Sequence, residues 1–102
     1  MTLLERHVFQ VTNQQAFWER ERKFKAVEDR LGGFPPKRYY YLIAGADATG
    51  TMVEEREWEN MAAMETAYER LFAEPGVMEL GDSGPTSGNT ERTEFYFTAE
   101  AH

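Results

Sequence analysis

The chain has no cysteine, which excludes disulfides, thiolate nucleophiles and cysteine-ligated metals. It has no apolar run near the about 18 residues that a membrane-spanning helix requires. The N-terminus, Met1-Thr-Leu-Leu-Glu-Arg, becomes charged at once, so no signal peptide is expected. Basic residues are scarce: 11 Lys and Arg stand against 18 Asp and Glu, for a net charge of −7. Without a basic field, neither nucleic acid nor an anionic membrane surface is an expected partner. No P-loop and no G-x-G-x-x-G phosphate turn occurs. A cytoplasmic protein acting without a cofactor is expected.

What is present is a core. With 102 residues, 41% hydrophobic and 14% aromatic, the chain reads as one ordered domain over residues 1–98, with a disordered tail over 99–102. So short a chain does not enclose a large substrate site within one subunit. The site is expected to be shallow or shared between subunits.

The clearest organising stretch is TMVEEREWENMAAMETAYERLFAE, residues 51–74. It starts as a strand over 51–58 and continues as a helix over 60–74. Met61, Met64, Tyr68, Leu71 and Phe72 gather within roughly 100° of helical arc, the apolar stripe of a helix packed on a sheet. Asn60 is placed to cap its first turn, and Pro75-Gly76 to end it.

The remaining elements follow in order. Residues 3–11 alternate as a strand, His7, Phe9 and Val11 on one face, Leu4, Arg6, Val8 and Gln10 on the other. Asn13 is a cap for a helix over 14–31, with Ala16, Phe17, Phe24, Val27 and Leu31 on one stripe. Trp18 lies off that stripe and fits either the helix edge or a subunit contact. The charged run Glu19 to Lys25 reads as a solvated face with pairs such as Glu19–Lys23 and Glu21–Lys25. Gly32-Gly33 and Pro35-Pro36 end the helix. Residues 37–44, KRYYYLIA, form a strand joined by a polar turn, Gly45 to Gly50, to the strand over 51–58. Residues 75–90 read as a long loop with one turn around Val77–Leu80, and 91–98 as the last strand.

The order β-α-β-β-α-β is that of an α+β ferredoxin-like domain: a four-stranded antiparallel sheet with two helices on one face. The second face is left bare. Aromatic side chains fall on both faces of the second strand, so water on either side is costly. A homodimer whose sheets close face to face into an α/β barrel is the expected solution.

The segment EREWENMAAMETAYERLFAEP, residues 55–75, resembles the second half of NIPSNAP-like and related domains of the dimeric α/β-barrel superfamily. The shared features are a strand ending in tryptophan, a short polar turn, a "hydrophobic-Ala-x-x-Glu" helix and an acidic-Pro stop. The first strand, with His7, is similar to the opening of Dabb domains. The resemblance implies the barrel fold for nearly the whole chain. The activities it covers include those of antibiotic-biosynthesis-type, cofactor-independent monooxygenases, a polyketide cyclase and haem-degrading enzymes. The cyclase pattern places a histidine where this chain reads Ala73-Glu74-Pro75-Gly76. Neither helix here carries the histidine of the haem-degrading members, so neither of those two chemistries transfers.

His7 is the only histidine away from the C-terminus and the side chain that ordinarily titrates near neutral pH. Facing the barrel interior, it is the candidate catalytic base toward an acidic substrate proton; a hydrogen-bonded position in the barrel lining or the core is the plainer reading. Arg56 and Trp58 share one face of the third strand with Glu54, and Glu55, Glu57 and Glu59 share the other. Arg56 can hold a carboxylate or phenolate, or simply pair with a glutamate across the sheet. Tyr41, Arg56, Trp58 and Tyr96 are the candidate ligand-binding residues around a small aromatic compound; packing and a dimer interface account for the aromatics equally well. No metal site is expected, because acids at i,i+2 on one strand face with no histidine among them more often coat a wet surface. Gly81-Asp82-Ser83-Gly84-Pro85 echoes a serine-protease segment, but the chain is too short for that fold and lacks the matching pair. The 81–90 stretch reads as a connector or a flap over a cavity mouth. Two functions remain: a small-molecule enzyme or binder, and a non-catalytic dimerisation or stress-response module.

Overall fold

Asn13 and Asn60 set the starts of the two long helices. In the computed structural model, residues 2–45, 50–81 and 89–99 are described. Both asparagines are extended, and each side chain accepts from the amide three residues on, Ala16 at 2.9 Å and Ala63 at 2.8 Å. Such a cap satisfies an otherwise unpaired first-turn amide and contributes about 1 kcal/mol. The helices they open are α1, Gln14–Leu31, and α2, Met61–Phe72. At the far end of α1, Arg70 of α2 donates to the carbonyls of Leu31 at 3.1 Å and Gly32 at 2.5 Å. One helix thereby caps the other. Gly33 admits the guanidinium, since a Cβ there would stand 2.8 Å from Arg70 Nη2.

Four strands form one sheet: β1 Leu3–Gln10, β2 Lys37–Tyr41, β3 Thr51–Trp58 and β4 Asn89–Phe97. Their order is β2-β3-β1-β4 and every neighbouring pair is antiparallel. This is the ferredoxin-like α+β fold. The β2 ladder ends at Tyr41 rather than at residue 44, although the Leu42 amide still donates to the Thr51 carbonyl at 3.1 Å. The turn expected around 77–80 is a short helix, α3, Val77–Gly81. Residues 46–49 of the expected hairpin turn, 82–88 of the expected connector or flap (with most of the Gly81–Pro85 segment), and 100–102 of the expected tail lie outside the described residues. No helix among the described residues is long and apolar enough to cross a membrane.

Two apolar clusters lie between the helices and the sheet. Phe9, Val11, Phe17 and Met52 form one, with Trp18 and Tyr39 packed against it. Leu3, Trp58 and Ala67 form the other, with Phe34, Ala63, Met64 and Tyr68 around them. Trp18 rests edge-on against Phe17 and Tyr39, with centroids 5.2 and 4.8 Å away, so it covers the helix edge.

Two helix-face expectations need correction. The α2 stripe is centred on Ala67 and Leu71, while Met61 and Phe72 are exposed. The larger change concerns α1, whose buried residues are Phe17, Arg20, Glu21 and Glu28. Glu21 is not part of a solvated run paired with Lys25; it is buried against Lys37, and Lys25 pairs with Asp29 at 2.7 Å. The physical reason is that β2 and β3 supply partners on that side, so the charged stripe lies inward.

Candidate functional site

The polar site begins with a cross-strand register. The helix-facing residues of β1 read Leu3, Glu5, His7, Phe9, and those of β3 read Met52, Glu54, Arg56, Trp58. Antiparallel pairing sets Glu5 opposite Arg56 and His7 opposite Glu54, between the apolar pairs Leu3–Trp58 and Phe9–Met52. Four ionisable side chains thus form a square between the two hydrophobic clusters. Above it lies a cleft of about 380 Å³, walled by Arg20, Glu21, Phe24 and Glu28 of α1, Lys37 of β2, and Tyr68, Leu71 and Phe72 of α2. The lining mixes aromatic faces with convergent polar groups, as ligand pockets do.

Glu5 is the hub of one half. It is 3% exposed and accepts from Trp58 Nε1 at 2.9 Å, from the Tyr68 hydroxyl at 2.6 Å and from His7 Nε2 at 2.7 Å. Burial pushes its carboxyl up, but the bonds from His7, Tyr68 and Trp58 together hold it below the ordinary value. An ionised Glu5 only accepts, so Nε2 carries the imidazole proton and Nδ1 keeps a lone pair. The Thr93 hydroxyl lies 2.9 Å from Nδ1 and donates to it when the imidazole is neutral. Burial and the neighbouring Glu5 push the Tyr68 phenol up, so it stays a donor.

The other half is an ion-pair cluster. Arg56 is 3% exposed; it donates through Nη2 to Glu28 at 2.5 Å, through Nε to the Pro35 carbonyl at 2.9 Å and through Nη1 to Tyr68 at 3.3 Å. Lys37 Nζ lies 3.1 Å from Glu21, 3.6 Å from Glu28 and 3.4 Å from Glu54. Tyr39 donates to Glu21 at 2.5 Å. Burial lowers the Lys37 ammonium, but Glu54, Glu21 and Glu28 raise it above its usual value. Glu21 and Glu54 are divided by these partners. Burial raises Glu21, yet Lys37 and Tyr39 bring it below the ordinary range. Glu54 is raised to about 7, chiefly by burial and with Glu21 beside it, because its share of Lys37 is too weak to compensate. Of the two, Glu54 holds the proton.

Of the residues singled out in the sequence, His7, Arg56 and Trp58 come together here, Trp58 through its bond to Glu5. They face the helices, not the open sheet face on which a barrel interior would form. Arg56 pairs with Glu28 of α1, not with a glutamate across the sheet, because a buried guanidinium meets its partner where the helix covers it. Tyr41 shares the helix-facing side but stands at the sheet edge, 60% exposed, with its hydroxyl toward Gln14 at 3.3 Å. Tyr96 lies on the opposite face, 43% exposed, with the Arg6 guanidinium 5.3 Å from its ring centre. On that open face Glu55 pairs with Arg6 at 2.6 Å. No three carboxylates or histidines among the described residues are grouped as a metal ion needs.

Glu5, Glu21, Glu28, Lys37, Glu54 and Tyr68 were not among the candidate site residues read from the sequence. A signal existed in the alternate positions of β1 and β3, which each read apolar, polar, polar, apolar. A polar pair inside an otherwise buried strand face implies partners across the sheet or from a helix.

The fold and cleft define a class first: a ferredoxin-like α+β domain with its polar site between sheet and helices. Among solved structures, this chain is similar to SnoaB, a cofactor-independent oxygenase from Streptomyces nogalater. The TM-score is 0.68 at 16% identity, covering 98% of this chain and 95% of that one. It is also similar to two candidate antibiotic biosynthesis monooxygenases. For the one from Chloroflexus aurantiacus the TM-score is 0.62 at 8% identity, covering 100% of this chain and 97% of the other. For the one from Deinococcus radiodurans the TM-score is 0.55 at 15% identity, covering 100% and 96%. At these identities the likeness concerns the fold. No family model and no curated protein sequence matches the chain.

Proposed function

We propose that the cleft binds a small aromatic compound and that the protein is a monooxygenase-like enzyme using dioxygen without a bound cofactor. The observation that carries this reading is the Glu5–His7 dyad opening onto an aromatic-walled cleft. Glu5 orients the imidazole and stabilises the cation it becomes, as the carboxylate of a catalytic triad does for its histidine. Nδ1 takes a proton from an acidic hydroxyl or activated methylene that replaces the Thr93 hydroxyl. The resulting anion, delocalised over the aromatic rings, is electron-rich enough to reduce dioxygen. For an activated ring CH₂ the balance is CH₂ plus O₂ giving C=O plus H₂O, with the His7 proton returned to the departing oxygen. Arg56 acts by bracing Glu28 and Tyr68 rather than by holding substrate. The likeness to a cofactor-independent oxygenase supports the reaction class by analogy of fold alone.

The test is oxidation of anthrone to anthraquinone, followed with oxygen uptake. The wild-type chain turns over with one O₂ consumed per quinone, and His7→Gln loses about a hundredfold or more. No turnover by wild type, or full activity in His7→Gln, overturns the reading in favour of the non-catalytic module.

The open sheet face supports the homodimer. Tyr40 and Tyr96 stand 48% and 43% exposed on it, beside the half-buried Leu4 and Val53. A second copy laid face to face removes this apolar surface from water. Sedimentation at micromolar concentration is expected to give a dimer; a monomer there refutes the pairing.

A further inference from the structure

The charge in the cleft is unevenly answered. Glu5, Glu21, Glu28 and Glu54 reach it, against Arg20, Lys37 and Arg56. Lys37 is surrounded by three of the carboxylates, Arg56 is closed on Glu28, Tyr68 and the Pro35 carbonyl, and the Arg20 guanidinium lies over the rings of Phe9 and Phe17. At Lys37 or Arg56 an incoming carboxylate must therefore sit beside a protein carboxylate or displace one. There it loses its water without gaining an ion pair of its own.

The four carboxylates are not equally answered. Glu5 has three donors, Glu28 has Arg56 at 2.5 Å, and Glu21 has Tyr39 and Lys37. Glu54 has a share of Lys37, at 3.4 Å, and the Glu21 carboxylate as its hydrogen-bond partner, so no cation is its own, and it sits opposite His7 on the cleft floor. Resting on the small-aromatic reading above, we infer that the cleft admits an aromatic compound as an uncharged, hydroxyl-bearing species and excludes aromatic carboxylates, Glu54, once ionised, being the residue that enforces the exclusion. The Phe9, Phe24 and Phe72 side chains supply the surface for the rings. Such a ligand brings its own acidic proton to His7.

The experiment is calorimetric titration of the full chain with three probes of one shape: naphthol, naphthoate and naphthylmethylammonium. At about pH 8, above the Glu54 midpoint, naphthoate binds at least about tenfold more weakly than naphthol, and the ammonium compound binds at least as tightly as naphthol. In Glu54→Gln the naphthol preference over naphthoate falls about tenfold, because one nearby negative charge is gone. If naphthoate equals or exceeds naphthol, or if the ratio is unchanged in Glu54→Gln, the inference is overturned. If none of the three probes binds, the small-aromatic reading itself fails, a result distinct from a reversed order. Should Glu54→Gln not fold, the order of the three probes on the wild-type chain decides alone.

Discussion

Replacing Glu54 by glutamine keeps the shape of the side chain and removes its ability to ionise. In the folded chain the carboxyl is raised from 4.5 to about 7, mainly by burial, with Glu21 competing for Lys37. A carboxyl that holds its proton more tightly when folded destabilises the fold as pH rises between those two values. The loss is complete above the upper one. The shift is worth roughly 3 kcal/mol at about 1.4 kcal/mol per unit, an order-of-magnitude figure that suits a group 6% exposed. Glu54→Gln is therefore expected to match the wild type near pH 4.5 and to exceed it by roughly 3 kcal/mol near pH 8. Urea unfolding of both proteins across that range gives the difference directly, and contributions of groups that do not touch Glu54 cancel in the subtraction. Glu5 and Glu21, both held below the ordinary range, act oppositely: the stability they contribute is lost only as pH falls below the carboxylate range. A difference that is constant with pH, or a mutant less stable than wild type near the upper end, refutes the account of Glu54.

Two further changes probe what holds the site and the helices. Tyr68→Phe leaves Glu5 one donor short and Arg56 one acceptor short, and is expected to cost about 1–3 kcal/mol by denaturant unfolding. A neutral result means that water takes the place of the hydroxyl. Asn13→Ala and Asn60→Ala each remove a helix cap and should cost about 1 kcal/mol, additively, since they start different helices.

The parts of the fold that were legible in the sequence rest on local chemistry. Asn13 and Asn60 cap because a short amide side chain reaches an amide three residues on, whatever the rest of the chain does. The bounds of α1, Gln14–Leu31, and β3, Thr51–Trp58, follow from caps, breakers and alternation. His7 and Arg56 were also legible as candidates, being unusual residue types on strands. Their surroundings were not. Glu21 belongs to a run that alternates in sign and pairs well along a helix surface, so nothing local distinguishes an outward face from an inward one.

By itself, then, the sequence determined the element order, the helix starts and which residues share a strand face. A period of two says that Glu54, Arg56 and Trp58 stand together; it does not say whether they meet helices or the open side. Only the tertiary structure decided that, by setting β1 against β3 so that Glu5 faces Arg56 and His7 faces Glu54 beneath α1. The contacts that define the site, Glu28 with Arg56, Lys37 with Glu21 and Glu54, and Tyr68 with Glu5, join residues distant in sequence. Buried charges need partners, and the partners were supplied by packing rather than by spacing.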